Sequence, residues 1–201
     1  MTRLTRVEEL EAIYGNPGQA ATVKVTAALT PAYSASIARS RFCVLTTMGP
    51  EGTDGSPRGD DGPVVTIADG RTLWMPDWRG NNRMDSLRNI LRNGRVSLMF
   101  LIPGSNTAVR VNGSAVLDTG PALISRFDRD GARPRTVIVI TIAEVYSRCA
   151  RALIRSGLWT VGDQSAGLPS VGDMLREITA GGIDGAAYDA EWPGRAAKTM
   201  W

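Results

Sequence analysis

Residues 56–95 read SPRGDDGPVVTIADGRTLWMPDWRGNNRMDSLRNILRNGR. Pro63 to Ala68 and Arg71 to Pro76 predict two strands joined by Asp69-Gly70, a dipeptide that favours a two-residue hairpin turn. A polar, arginine-bearing loop follows and runs into a helix predicted over Asn82 to Arg92. Met84, Leu87 and Leu91 recur there at helical spacing, and Asn93-Gly94 closes it. A hairpin feeding a short helix argues for antiparallel pairing, because a parallel sheet needs strands and helices in regular alternation. The stretch is also a candidate anion site. A helix N-terminus presents free N–H groups and the positive end of a dipole, and arginines on either side, Arg58 and Arg83, can add charge-assisted hydrogen bonds. A phosphorylated ligand is expected here.

Outward from this stretch, Arg41 to Gly49 predicts a strand ending in a Gly-Pro-Glu-Gly turn. Val96 to Ile102, Ala108 to Leu117 and Thr136 to Tyr146 predict three more. Helices are expected from a capping box at Thr5-Arg6-Val7-Glu8 to Tyr14, stopped by Gly15, and over Ala20 to Ala38 with an interruption at Pro31. Further helices are expected over Pro121 to Asp128, Arg148 to Ser156 and Val171 to Thr179. The Gly/Ala-rich tail to Trp201 carries weak order signals. The sum is a mainly β protein with flanking helices, for which a closed six-stranded antiparallel barrel fits best. One domain spans residues 1–201, with helical extensions at 1–40 and 147–201.

Composition narrows the function. The 201 residues are 43% hydrophobic, enough for a sizeable core. No apolar run reaches the length of a membrane span, and the charged N-terminus MTRLTRVEELEAIYG has no apolar signal region, so a cytoplasmic protein is expected. The chain has no histidine, which removes Ser-His-Asp hydrolysis, histidine acid–base chemistry and most zinc or haem sites. The two cysteines, Cys43 and Cys149, read as buried thiols rather than a disulfide. Net charge is +3, with the arginines spread along the chain. That suits an anionic small ligand, and no nucleic-acid recognition motif is present. Asp60, Asp61, Asp77 and Asp85 match no metal-ligand spacing.

Ser56-Pro57-Arg58-Gly59-Asp60, Pro76-Asp77, Arg79-Gly80-Asn81-Asn82-Arg83, Asp85-Ser86-Leu87-Arg88-Asn89-Ile90 and Phe100-Leu101-Ile102-Pro103-Gly104 form one group of motifs. Arg110-Val111-Asn112-Gly113, Glu144-Val145-Tyr146 with Cys149-Ala150, Arg155-Ser156 and Leu158-Trp159 extend it. Together they resemble the pyridoxamine 5′-phosphate oxidase-like FMN-binding split-barrel proteins, over roughly Arg41 to Trp159, and a poorly characterised bacterial branch of them most closely. The resemblance implies a homodimeric split β-barrel with FMN, held non-covalently, in a groove at the dimer interface. It implies phosphate contacts from Arg58 with Gly59 beside it, and from Asn81, Asn82, Arg83 and Ser86. Met75, Pro76 and Asp77 would line the isoalloxazine, and Arg110, Arg155 and Trp159 would come from the partner chain. In the family a histidine often precedes the cysteine and a lysine follows it. Arg148 and Arg151 stand there in this chain, so no chemistry of that histidine can operate. The Arg-x-His pattern of true pyridoxamine phosphate oxidases is also lacking near the C-terminus, which argues against oxidation of pyridoxamine phosphate itself.

Plainer readings stand beside these. Arg58 alone could be a surface-turn arginine, and Asn81 or Asn82 could simply cap the helix, although capping and phosphate binding are compatible. Arg88, Arg92 and Arg95 read as the helix's solvated face. Trp74 reads as core, Trp78 as bordering the site, and Trp159 as either an interface anchor or a ring contact. Cys149 reads as a small hydrophobe rather than a reactive thiol. No residue stands out as acid, base or nucleophile. The expected function is an FMN-dependent oxidoreductase. The alternatives are a non-catalytic flavin carrier or sensor, and a deazaflavin-dependent reductase on the same fold.

Overall fold

Antiparallel pairing organises the whole chain. The computed structural model describes residues 3–200; Met1, Thr2 and Trp201, the ends of the two extensions, lie outside the described residues. Three short helices come first: α1 (Val7–Tyr14), α2 (Gln19–Val23) and α3 (Pro31–Arg39). Strands β1 (Phe42–Gly49), β2 (Gly52–Gly59), β3 (Thr66–Asp69) and β4 (Thr72–Asp77) follow, then α4 (Asp85–Arg92), β5 (Arg95–Leu101) and β6 (Val109–Asp118). Next come α5 (Pro121–Ile124) with a 3-10 turn, β7 (Thr136–Ser147), α6 (Arg151–Ser156), α7 (Val171–Ile178) and α8 (Gly185–Thr199).

The strands form one seven-stranded sheet in the order β2-β1-β5-β6-β7-β4-β3, every pair antiparallel. This corrects the expectation of a closed six-stranded barrel: there is one more strand, and β2 and β3 are the ends of an open order. The additional strand, β2, reads Gly-Thr-Asp-Gly-Ser-Pro-Arg-Gly, which has turn composition. It lies at the sheet's edge: Pro57 is opposite Val44, and an edge strand tolerates a residue with no N–H to give.

The sheet encloses its core on one face. Cys43 and Leu45 of β1, Leu98 and Phe100 of β5, Val111 of β6, Ile138 and Ile140 of β7, and Leu73 and Met75 of β4 are fully buried or nearly so. They alternate with more exposed residues along most of their strands, as a pleated half-buried sheet requires; at Pro76 of β4 and Val137 of β7, which lie opposite each other, both faces are buried. Where Asn112-Gly113 shifts the β6–β7 register, a Cβ on Gly113 would run into the backbone of Thr141.

Several local expectations change. Pro31 does not interrupt a helix but opens one, with Thr30 as N-cap accepting from the Tyr33 N–H at 3.3 Å. Its ring suits the first helical position, where no N–H is needed. The N-cap of α1 is Arg6 and makes no side-chain capping bond; Glu9, not Glu8, accepts from the Thr5 N–H. The C-terminal tail forms α8, started by Asp184 accepting from the Ala187 N–H. Cys43 is buried but Cys149 is exposed, and Trp74 is only half-buried, with the Arg126 guanidinium 5.1 Å from its ring. Among the described residues no helix is long and apolar enough to cross a membrane.

Candidate functional site

The loop after β4 is polar and carries no apolar side chain between Trp78 and Met84, so it stays at the surface and α4 starts late. The N-cap of α4 is Met84, not Asn81 or Asn82, and no side chain caps the helix. Asn81 instead accepts from the Arg83 N–H at 3.0 Å. Asn82 takes a left-handed φ of 60°, a conformation asparagine tolerates better than most residues, and its side-chain oxygen accepts from Arg135 Nη1 at 3.2 Å. The helix buries Ser86, Asn89 and Ile90, whereas Leu91 is exposed. The buried Asn89 gives its amide proton to Thr47 Oγ1 at 3.1 Å.

The ends of β2 and β4, the loop before α4 and the start of β7 surround a cleft of about 980 Å³. Of the residues singled out in the sequence, Arg58, Gly59, Met75, Pro76, Asp77, Asn81, Asn82 and Arg83 line it. Ser86 does not: its hydroxyl donates to Asp54 Oδ2 at 2.5 Å on the β2 side of the helix. Nor do Arg110, Arg155 and Trp159. Arg110 lies on the outward face of β6 and gives its Nε–H to Ser97 Oγ at 3.0 Å. Arg155 is exposed on α6. Trp159 donates to the Ser105 carbonyl at 2.8 Å.

Arg58 is the centre of the polar wall. Its Nη1 is 2.5 Å from Asp77 Oδ1, with both side chains about one-fifth exposed. That pair ties β2, one end of the sheet, to β4 near the other. A second tie lies beside it: the Trp78 indole N–H donates to Asp60 Oδ2 at 3.0 Å. The Asp60 side chain is 2% exposed and also accepts from Arg129, whose guanidinium stands 4.9 Å from the Trp78 ring. Behind Arg58, burial pushes the Cys43 thiol up to about 12, with the Arg58 charge opposing the shift.

Among the described residues, two buried side-chain polar atoms lack a hydrogen-bond partner: Arg58 Nε and Thr136 Oγ1. Both belong to residues lining this cleft, and Thr136 lies directly opposite Asp77 in the β4–β7 ladder. Buried polar groups are nearly always paired, so two unpaired ones among the residues lining one cleft single it out as the candidate ligand site. Four arginines against three aspartates leave the lining with one net positive charge. Thr136, Arg135 and Trp192 were missed in the sequence. Thr136 opens a strand that reads as ordinary β-branched core, and Trp192 sits in the tail of weak order signals. Among the described residues no group of three or more His, Cys, Asp or Glu is placed to hold a metal ion.

The family model described as pyridoxamine 5′-phosphate oxidase matches residues 29–149, more than half of the chain. The chain belongs to that family. The matched region contains all seven strands and α4, and so every element of the cleft except the C-terminal helix. Among solved structures, the chain is similar to Group A Streptococcus HupZ, at 16% identity over 59% of this chain and 93% of that one, with a TM-score of 0.49. It is similar to an FMN-binding protein from Syntrophomonas wolfei subsp. wolfei, at 12% identity over 58% and 80%, with a TM-score of 0.44. It is also similar to an F420 reductase, at 19% identity over 58% and 98%, with a TM-score of 0.42. The comparison with curated proteins gives no match.

Proposed function

We propose that this member of the pyridoxamine 5′-phosphate oxidase family is an FMN-binding flavoprotein that works as a homodimer, with FMN held non-covalently in the cleft. The observation that carries the reading is the pair of unpartnered buried atoms, Arg58 Nε and Thr136 Oγ1, in one cleft. A guanidinium N–H and a hydroxyl on two residues lining the same cleft suit an anionic or carbonyl-bearing ligand. The uncapped N-terminus of α4 and Arg83 add donors for a phosphate, and Asn81 and Asn82 fix the loop that carries Arg83. Buried Met75 and Pro76 give an apolar floor suited to a ring, with Gly59 and Asp77 at its edge. Ser86 contributes through the helix start, since its hydroxyl is held by Asp54.

A second copy supplies Arg110, Arg155 and Trp159. Exposed Phe42 and Met99 on neighbouring strands β1 and β5 give the apolar area on which two outward sheet faces can pack, and Arg110 stands opposite Met99. FMN supplies two-electron redox chemistry. The chain's own part is to bind and orient the cofactor and to place positive charge beside it.

A non-catalytic carrier or sensor is the second reading. It is favoured by a cleft whose three acidic groups, Asp60, Asp61 and Asp77, are all paired with arginines. Titration of the purified protein with FMN, followed by flavin absorbance and fluorescence, tests the main reading. Arg58→Ala should weaken binding by about 1.5–3 kcal/mol through loss of a charged hydrogen bond. An unaltered spectrum with excess FMN overturns the proposal, and a deazaflavin spectrum redirects it. Turnover of reduced nicotinamide with oxygen or a quinone separates an oxidoreductase from a carrier.

A further inference from the structure

Two residues of the cleft wall come from outside the sheet and outside the family match. Trp192 of α8 and Met200, which follows that helix, line the cleft with Arg58 and Thr136. α8 packs mainly against α7, so the two helices make a hairpin of their own. That hairpin is internally fixed. Gly172 and Gly185 bring the two backbones so close that a Cβ on either would run into the other. Asp189 of α8 accepts from the Gly172 N–H at 2.9 Å and from the Ser170 hydroxyl, at the N-terminus of α7. Ser170 and Asp173 complete a capping box on the same turn. Residues 160–169, which join the hairpin to the rest of the chain, are exposed throughout.

What this rigid hairpin delivers to the cleft is a large indole. Trp192 is 55% exposed, although tryptophan carries more apolar area than other side chains and is usually well covered. The Arg195 guanidinium lies 4.4 Å from the Tyr188 ring and 5.8 Å from that of Trp192, which braces the indole against its own helix. Pro193 follows directly and has no N–H to return to the Asp189 carbonyl, so the helix lacks one backbone hydrogen bond next to the residue that reaches the cleft. The polar donors of the cleft thus come from β2, β7 and the loop before α4, while an open aromatic face comes from α8.

We propose that Trp192 is a further ligand-binding residue of this cleft: its indole stacks on the planar ring of the bound ligand, and the α7–α8 hairpin closes over that ring rather than over the phosphate. This rests on the FMN reading above and assigns ring recognition to a segment beyond the family match.

The test is a titration of the full chain with FMN and with riboflavin, which keeps the ring and lacks the phosphate. Trp192→Ala should raise both dissociation constants by the same factor, about tenfold, the upper range for an aromatic contact. Trp192→Phe should restore most of the affinity. Arg58→Ala should weaken FMN far more than riboflavin. Wild-type binding of FMN with unchanged constants in Trp192→Ala overturns this inference and leaves the FMN reading standing. A Trp192→Ala effect on FMN but not on riboflavin also overturns it, because the contact would then be to the phosphate end. A wild-type chain that binds neither flavin overturns both.

Discussion

Replacing Thr136 with valine removes one oxygen from the cleft wall and keeps the shape of the side chain. Thr136 Oγ1 is buried without a partner, and a buried polar group left unpaired costs roughly 1–3 kcal/mol. Thr136→Val should therefore stabilise the ligand-free protein. Taking the lower figure of about 1 kcal/mol, a chain of this size should gain about 2–4 °C in its unfolding midpoint. With FMN present the sign reverses. The hydroxyl's bond to the ligand is worth about 0.5–1.5 kcal/mol; added to the about 1 kcal/mol gained by the ligand-free state, its loss should raise the dissociation constant by roughly 12- to 70-fold. Calorimetry of the ligand-free protein and fluorescence titration with FMN measure the two effects separately. A lower ligand-free midpoint together with unchanged FMN affinity would refute the reasoning, since the hydroxyl would then have its partner in the protein and none in the ligand.

Burial holds the Cys43 thiol neutral up to about 12. Its folded pKa lies above its unfolded value of 9.0, so the stability it contributes is complete below pH 9 and is lost as pH rises towards 12. Wild type should lose about 1.4 kcal/mol relative to Cys43→Val between pH 8 and pH 10, read from urea midpoints; parallel pH profiles would contradict this. Gly113→Ala should cost about 2–3 kcal/mol because the Thr141 backbone occupies the space, and a wild-type thermal midpoint would show that the register shift can absorb a methyl group. Asn89→Ala should cost about 1–3 kcal/mol by stranding the Thr47 hydroxyl beneath α4, whereas Leu91→Ala, on the exposed side, should change the denaturation midpoint little.

Residues whose role is local were legible in the sequence. The Asp69-Gly70 hairpin, the apolar run of β5, the long strand β7 and the stop of α1 at Gly15 all follow from neighbours along the chain. The polar cleft residues of the Arg79–Arg83 loop were found for the same reason. What was not legible depends on contacts far apart in sequence. Thr53 to Pro57 is a strand only because β1 offers a free edge. Leu91 fits the helical period as well as Asn89 does, yet Asn89 is buried because Thr47, 42 residues away, accepts its amide. Thr136 looks like any β-branched strand residue until its hydroxyl is found without a partner. The cleft wall from α8 depends on how a hairpin docks, which neither periodicity nor capping reports.

The Arg58–Asp77 and Trp78–Asp60 bonds join the two margins of the sheet without any backbone pairing. They work as a clasp on an open collar. A ladder of main-chain bonds zips as a unit, but a clasp of two side-chain pairs can be undone locally at small cost while the rest of the sheet stays intact. A ligand seated at this seam adds its own bonds to the clasp and becomes part of what holds the collar shut. At a concentration one hundred times its dissociation constant it would add about 2.7 kcal/mol to the stability of the protein. Loss of the ligand would then be felt first as breathing between β2 and β4, and amide hydrogen exchange at those two strands is where it would be seen.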